Sequence, residues 1–233
     1  MAYPNIIRIR SISQFHELRG LPEPAHPLVS IVKVEDFTYP EKDTDSQFIM
    51  DYYSISLKRN CGAIRYGHQP YDYNTGVMYF VAPGQIFTVK HERNRPEPSG
   101  WMLLFHPDFI WNTALAENIH HYDYFGYEVN EALWVSDKEE AIIIDFLKNM
   151  QTENQINMDK FSKQIIISQI ESLLNYAERF YHRQFITREK SNHQILTRLA
   201  SFLEQYFESS QLTLLGPPRV ADIATHLNPS CAL

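Results

Sequence analysis

Cysteine is almost missing from this chain: Cys61 and Cys231 are the two in 233 residues. Two are too few for a disulfide framework, and the scarcity fits a reducing cytoplasm. No apolar run approaches the ~20 residues that span a bilayer, so no membrane partner is expected. The first residues carry no basic start followed by an apolar stretch, so no secretory leader is expected either. Phosphate-cradling and nucleophile motifs are also missing, with no Gly-x-Gly-x-x-Gly, no phosphate loop and no Gly-x-Ser-x-Gly.

Metal chemistry meets the same lack. There are ten histidines but no His-x-His. His91-Glu92 is an adjacent pair, which on a strand points to opposite faces. His120-His121 is also adjacent. A catalytic site needs three convergent ligands, so no metal and no cofactor are expected. Cys61 reads as a turn residue. The carboxylate pairs Asp43/Asp45 and Glu139/Glu140 read as solvated charge or as complements to a helix dipole. An enzyme is therefore not expected.

Charge is present but uneven. Residues 111–181 hold 5 Lys/Arg against 12 Asp/Glu, while the segments on either side are nearly balanced. No basic stripe of the kind that neutralises phosphates occurs.

The first part of the chain is strand-like. Val29–Val34, Phe48–Leu57, Gly62–Tyr66, Val77–Val81, Gln85–Lys90 and Trp101–Phe105 are rich in β-branched and aromatic residues, with turn signals between them. Such spacing argues for a sandwich or a small barrel. The all-apolar run Trp101–Phe105 predicts a strand buried on both faces. Ser136-Asp137-Lys138-Glu139 is a capping box that opens a helix with a face of Ile142, Ile143, Phe146, Leu147 and Met150. A second helix is expected over Asp159–His182, and a third over Ser191–Phe207. Their apolar stripes predict packing on the strands, on each other, or on a second copy in a homodimer.

Aromatic residues are the other abundance. Among those in the strand region, Tyr53, Tyr66, Phe80 and Trp101 are candidates to line a small-molecule pocket; core residues with satisfied hydroxyls are the alternative. At the other end, Val220, Ile223, Ala224 and Leu227 recur at one helical face, Asn228-Pro229 stops the helix, and Ser230 can cap another. This reads as the structural start of a helix-turn-helix.

In this order, Tyr53-Ser54-Ile55-Ser56-Leu57, Gly62 to Gly67, Tyr71 to Gln85 with Ala82-Pro83-Gly84-Gln85, Gly100 to Phe109, and the tail Val220 to Ser230 resemble AraC-type bacterial transcriptional regulators. The resemblance implies an α+β chain. A cupin-like sensor barrel would span 1–110, a helical dimerisation and linker region 111–210, and the truncated start of a helix-turn-helix 211–233. It further implies a cytoplasmic homodimer, a small-molecule effector, and promoter DNA as partner of an intact longer form, since the chain stops before any recognition helix. Pro229 departs from the apolar residue usual there. Two alternatives stand beside this expectation: a cupin-type enzyme, which the missing His-x-His disfavours, and a truncated partner that forms inactive heterodimers.

Overall fold

The computed structural model describes residues 6–38, 47–59, 76–88, 99–125, 132–156 and 159–208, together with Pro218 and Ile223. The chain divides into two compact units, Met1–Phe180 and Tyr181–Leu233. The first holds two sheets and a helical layer. Strands β1 (Ile6–Ile9), β3 (Gln47–Met50) and β6 (Ile86–Thr88) form a sheet in the order β1-β3-β6. Strands β2 (Val29–Lys33), β7 (Ser99–Phe105), β4 (Tyr53–Arg59), β5 (Gly76–Val81) and β8 (Leu133–Val135) form a second, in the order β2-β7-β4-β5-β8.

Both sheets are open, and this overturns the expected cupin-like barrel. Closure needs the terminal strands to pair with each other. Among the described residues β2 pairs with β7 and β8 with β5, and neither edge meets the other. The break lies inside the run expected as one strand, Phe48–Leu57. At Asp51-Tyr52 the chain bends, leaving β3 in one sheet and entering β4 in the other. Tyr52 is fully buried at this corner. The fold is therefore α+β with two layered sheets.

The smaller sheet and helix α1 (Ile12–Leu18) cover one face of the larger. Their shared core joins Ile9, Phe15, Phe48, Met50 and Tyr52 to Met102 and Leu104 of β7. The opposite face of β7 carries Trp101, Leu103 and Phe105, so all five residues of this run are buried, as their composition predicts.

Helix α4 (Asp137–Gln155) lies over that second face, touching β2, β7 and β8. Its capping box is formed: Glu139 accepts from the Ser136 backbone N–H at 2.8 Å. Ile143, Leu147 and Met150 point inward, while Ile142 and Phe146 are only half-buried. Glu140 reaches from α4 to β4 and takes a two-pronged grip on Arg59, both contacts at 2.7 Å. The missing side chain of Gly76 makes room for it, because a Cβ there would sit 2.8 Å from the Glu140 carboxylate.

The two expected terminal helices are one, α5 (Ser162–Glu208). The segment between them, Arg183 to Lys190, contains neither proline nor glycine, so nothing in the backbone forces a stop. Within the first unit α5 buries Ile166, Ile167, Ile170, Leu173, Leu174, Ala177 and Phe180. It meets α4 through Phe146 and Tyr176, whose rings are 5.7 Å apart.

Candidate functional site

After β7, Pro107 opens the short helix α2 (Pro107–Ile110), and Asn112 then turns the chain with φ 61°, a conformation that asparagine tolerates better than most residues. Thr113 caps helix α3 (Ala114–Asn118) by accepting from the Ala116 N–H. A tight helical turn at Ile119–His121 follows. Leu115 and Ile119 are buried and pin this stretch to the molecule.

Two tyrosines fasten it to α5. The Tyr122 hydroxyl donates to Asn175 Oδ1 at 3.0 Å, and the Tyr124 hydroxyl donates to the Leu174 carbonyl at 2.9 Å. Their rings stack, with centroids 5.5 Å apart. The Leu174 bond gives an acceptor to a hydroxyl whose ionisation burial opposes; burial pushes the Tyr124 hydroxyl far above its ordinary value.

Between the segment and the helix lies a cleft of about 450 Å³. Helix α3 contributes Ala114, Leu115 and Asn118, the following turn contributes His121 and Tyr122, and α5 contributes Glu171, Asn175 and Glu178. The α5 residues fall at i, i+4 and i+7 and so share one helix face. Two glutamates therefore line this side of the cleft, with an asparagine between them. Their field reaches the far wall: Tyr122 is pushed above the ordinary tyrosine value, first by burial and then by Glu171 and Glu178. Among the described residues the lining contains no lysine or arginine. Among the described residues no group of three His, Cys, Asp or Glu side chains is arranged to hold a metal ion.

The pocket candidates read from the sequence lie elsewhere. Tyr53, Phe80 and Trp101 all occupy the face of the larger sheet beneath the helical layer. Tyr53 and Phe80 meet around Phe125, with ring distances of 5.2 and 5.7 Å. Trp101 stands apart beside Lys33, whose ammonium is 5.6 Å from its ring. Tyr66 is outside the described residues. Of the tail, Ile223 is helical and half-buried, and Val220, Ala224, Leu227 and Ser230 are outside the described residues. The cleft residues carried no signal in the linear sequence beyond the spacing of Glu171, Asn175 and Glu178, which becomes a site only because α3 folds back over them.

The chain matches no protein-family profile and no curated protein. Together with the open sheets, this removes the ground for the AraC-type resemblance. The family, the cupin fold and the helix-turn-helix expected from it are all withdrawn. No described helix is long and apolar enough to cross a membrane.

Proposed function

We propose that this chain is the sensing and pairing portion of a regulatory protein, with the cleft between α3 and α5 as its effector site. The observation that carries the reading is the cleft's construction. One wall is a short segment held by two tyrosine hydroxyls, and the other is a helix that continues past Phe180 into the second unit. A ligand that binds both walls favours whatever arrangement of α5 suits it, in proportion to its differential affinity.

The reading is non-enzymatic: the cleft offers binding groups without a nucleophile–base pair. It places the protein in the cytoplasm, as its few cysteines suit. It also includes a homodimer, supported by Phe161 and Ile165, large apolar side chains at the start of α5 that are 59% and 42% exposed.

A thermal-shift screen of small metabolites against the wild type and Ala114→Trp tests the effector site. Ala114 is exposed at the cleft, so the indole fills the opening without entering the core. Compounds that raise the melting temperature of the wild type alone support the reading. Finding no stabiliser, or only stabilisers that act equally on both proteins, overturns it.

A further inference from the structure

We propose that α5 has a second resting position against α4, reached by a small bend near Ser168, in which the side-chain amides of Asn154 and Gln169 pair with each other. This stands apart from the effector reading, because it concerns the helix whether or not the cleft is filled. Two buried oxygens point to it. Asn154 ends the inward stripe of α4, after Ile143, Leu147 and Met150, and is 6% exposed. Its Oδ1 is buried and accepts no hydrogen bond, and the same holds for Oε1 of Gln169 on α5. A buried acceptor without a donor costs its full desolvation penalty, and folded proteins leave few of them.

Helix geometry brings the two amides to one level. Helices α4 and α5 follow each other with a short connection between Gln155 and Ser162, and so run antiparallel. They touch at Phe146 and Tyr176. Asn154 lies eight residues after Phe146, about 12 Å along α4. Gln169 lies seven residues before Tyr176, about 10.5 Å along α5. In an antiparallel pair these two steps go the same way, so the amides stand at nearly the same height on facing helices. Each carries a donor and an acceptor, which makes them complementary. In this structure neither oxygen takes the other's N–H.

The chemistry of α5 allows the shift. Ser168 and Ser172 each turn the hydroxyl back onto the carbonyl four residues earlier, those of Gln164 and Ser168, both at 2.9 Å. Such back-bonds bend helices, and the two in succession cover the stretch that holds Gln169. At the helix start, Asp159 accepts from the Phe161 and Ser162 N–H groups at 2.8 and 3.1 Å. The cap therefore belongs to the moving segment, and no capping bond is lost when it moves. Beneath the bend lie Ile166, Ile167 and Ile170, all buried. Their contacts are apolar and non-directional, so they tolerate a small displacement that a hydrogen-bonded seam would resist.

Methyl relaxation dispersion on the full chain with labelled isoleucines reads exchange between two positions on the microsecond-to-millisecond scale. The expected result is dispersion at Ile166, Ile167 and Ile170, with flat profiles at Ile9, Ile12 and Ile55. Asn154→Leu and Gln169→Met keep the side-chain size and remove the amides. Each is expected to flatten the dispersion in α5 and to raise the melting temperature by about 2–4 °C. Tyr52→Phe is the control. It removes another buried oxygen without a partner, but between the sheets, and is expected to leave the α5 profiles unchanged. Flat profiles at all three α5 isoleucines in the wild type overturn the proposal. So does dispersion that persists in both amide variants, or that Tyr52→Phe flattens equally. A lower melting temperature in both amide variants also overturns it, because the oxygens would then be satisfied by internal water.

Discussion

The core cluster between the two sheets is apolar, whereas the cleft beside α5 mixes polar and apolar side chains. Between the sheets, Phe48, Tyr52 and Leu104 are fully buried and close-packed with Met50 and Met102. Beside α5, a cleft is lined by two carboxylates, two amides, a histidine and a tyrosine together with Ala114 and Leu115. The first arrangement removes apolar surface from water and specifies the fold. The second leaves polar groups open to solvent. On the proposed reading, that contrast separates what holds this molecule together from what it presents to a ligand.

The contrast is broken most severely from the apolar side. Leu104→Ala empties a site between the sheets and is expected to cost about 3–4 kcal/mol, read as a shift of the urea midpoint. A loss under about 1 kcal/mol would mean that the two sheets do not share a core.

Next comes Arg59→Met. It leaves the Glu140 carboxylate, whose side chain is 5% exposed, without its guanidinium partner. Arg59 itself is half exposed, so water replaces part of the lost interaction. The expected cost is about 2 kcal/mol, measured in the same way, and an unchanged midpoint would show that the pair contributes nothing.

Acid sharpens the comparison through the two histidines packed against the sheets, His16 and His26. His16 is buried with its Nδ1–H donating to the Pro22 carbonyl and its Nε2 accepting from the Ser30 hydroxyl at 2.9 Å. Burial holds its pKa below the ordinary 6.5, outweighing the Pro22 bond, and His26 shifts the same way through burial and Lys163. The unfolded chain therefore takes up these protons first as pH falls. The stability they confer is whole above pH 6.5 and is lost as pH drops through the lowered folded values. His16→Asn is expected to reduce that slope, and an identical pH profile would contradict the assignment.

The smallest effect belongs to the helix start. Ser136→Ala removes half of the capping box and is expected to cost about 1 kcal/mol, shown by a modest fall in melting temperature.

Much of the apolar half was legible in the sequence. The Ser136…Glu139 box, the doubly buried run Trp101–Phe105 and the strands around Val29 and Val77 followed from local pattern, because capping and alternation are short-range properties. The corner at Asp51-Tyr52 was not legible. A buried tyrosine beside an aspartate continues a strand pattern as well as it ends one, and only the pairing of β3 with β1 and of β4 with β7 tells them apart. Missing this corner led to a barrel in place of two sheets. The continuity of α5 was readable from the lack of proline and glycine between Arg183 and Lys190, yet two separate apolar stripes pointed the other way. The cleft was half legible. Glu171, Asn175 and Glu178 share a helix face by spacing alone, whereas the approach of Leu115 and Tyr122 is a tertiary event with no local mark.

Hydrogen exchange on the full chain with and without a metabolite that raises the melting temperature of the wild type but not of Ala114→Trp tests the division between holding and presenting most directly. The account predicts slowed exchange confined to residues 114–122 and to α5 around Glu171–Glu178, with β1, β3, β6 and α1 unchanged. Protection that appears in the small sheet instead, or nowhere at all, would contradict it.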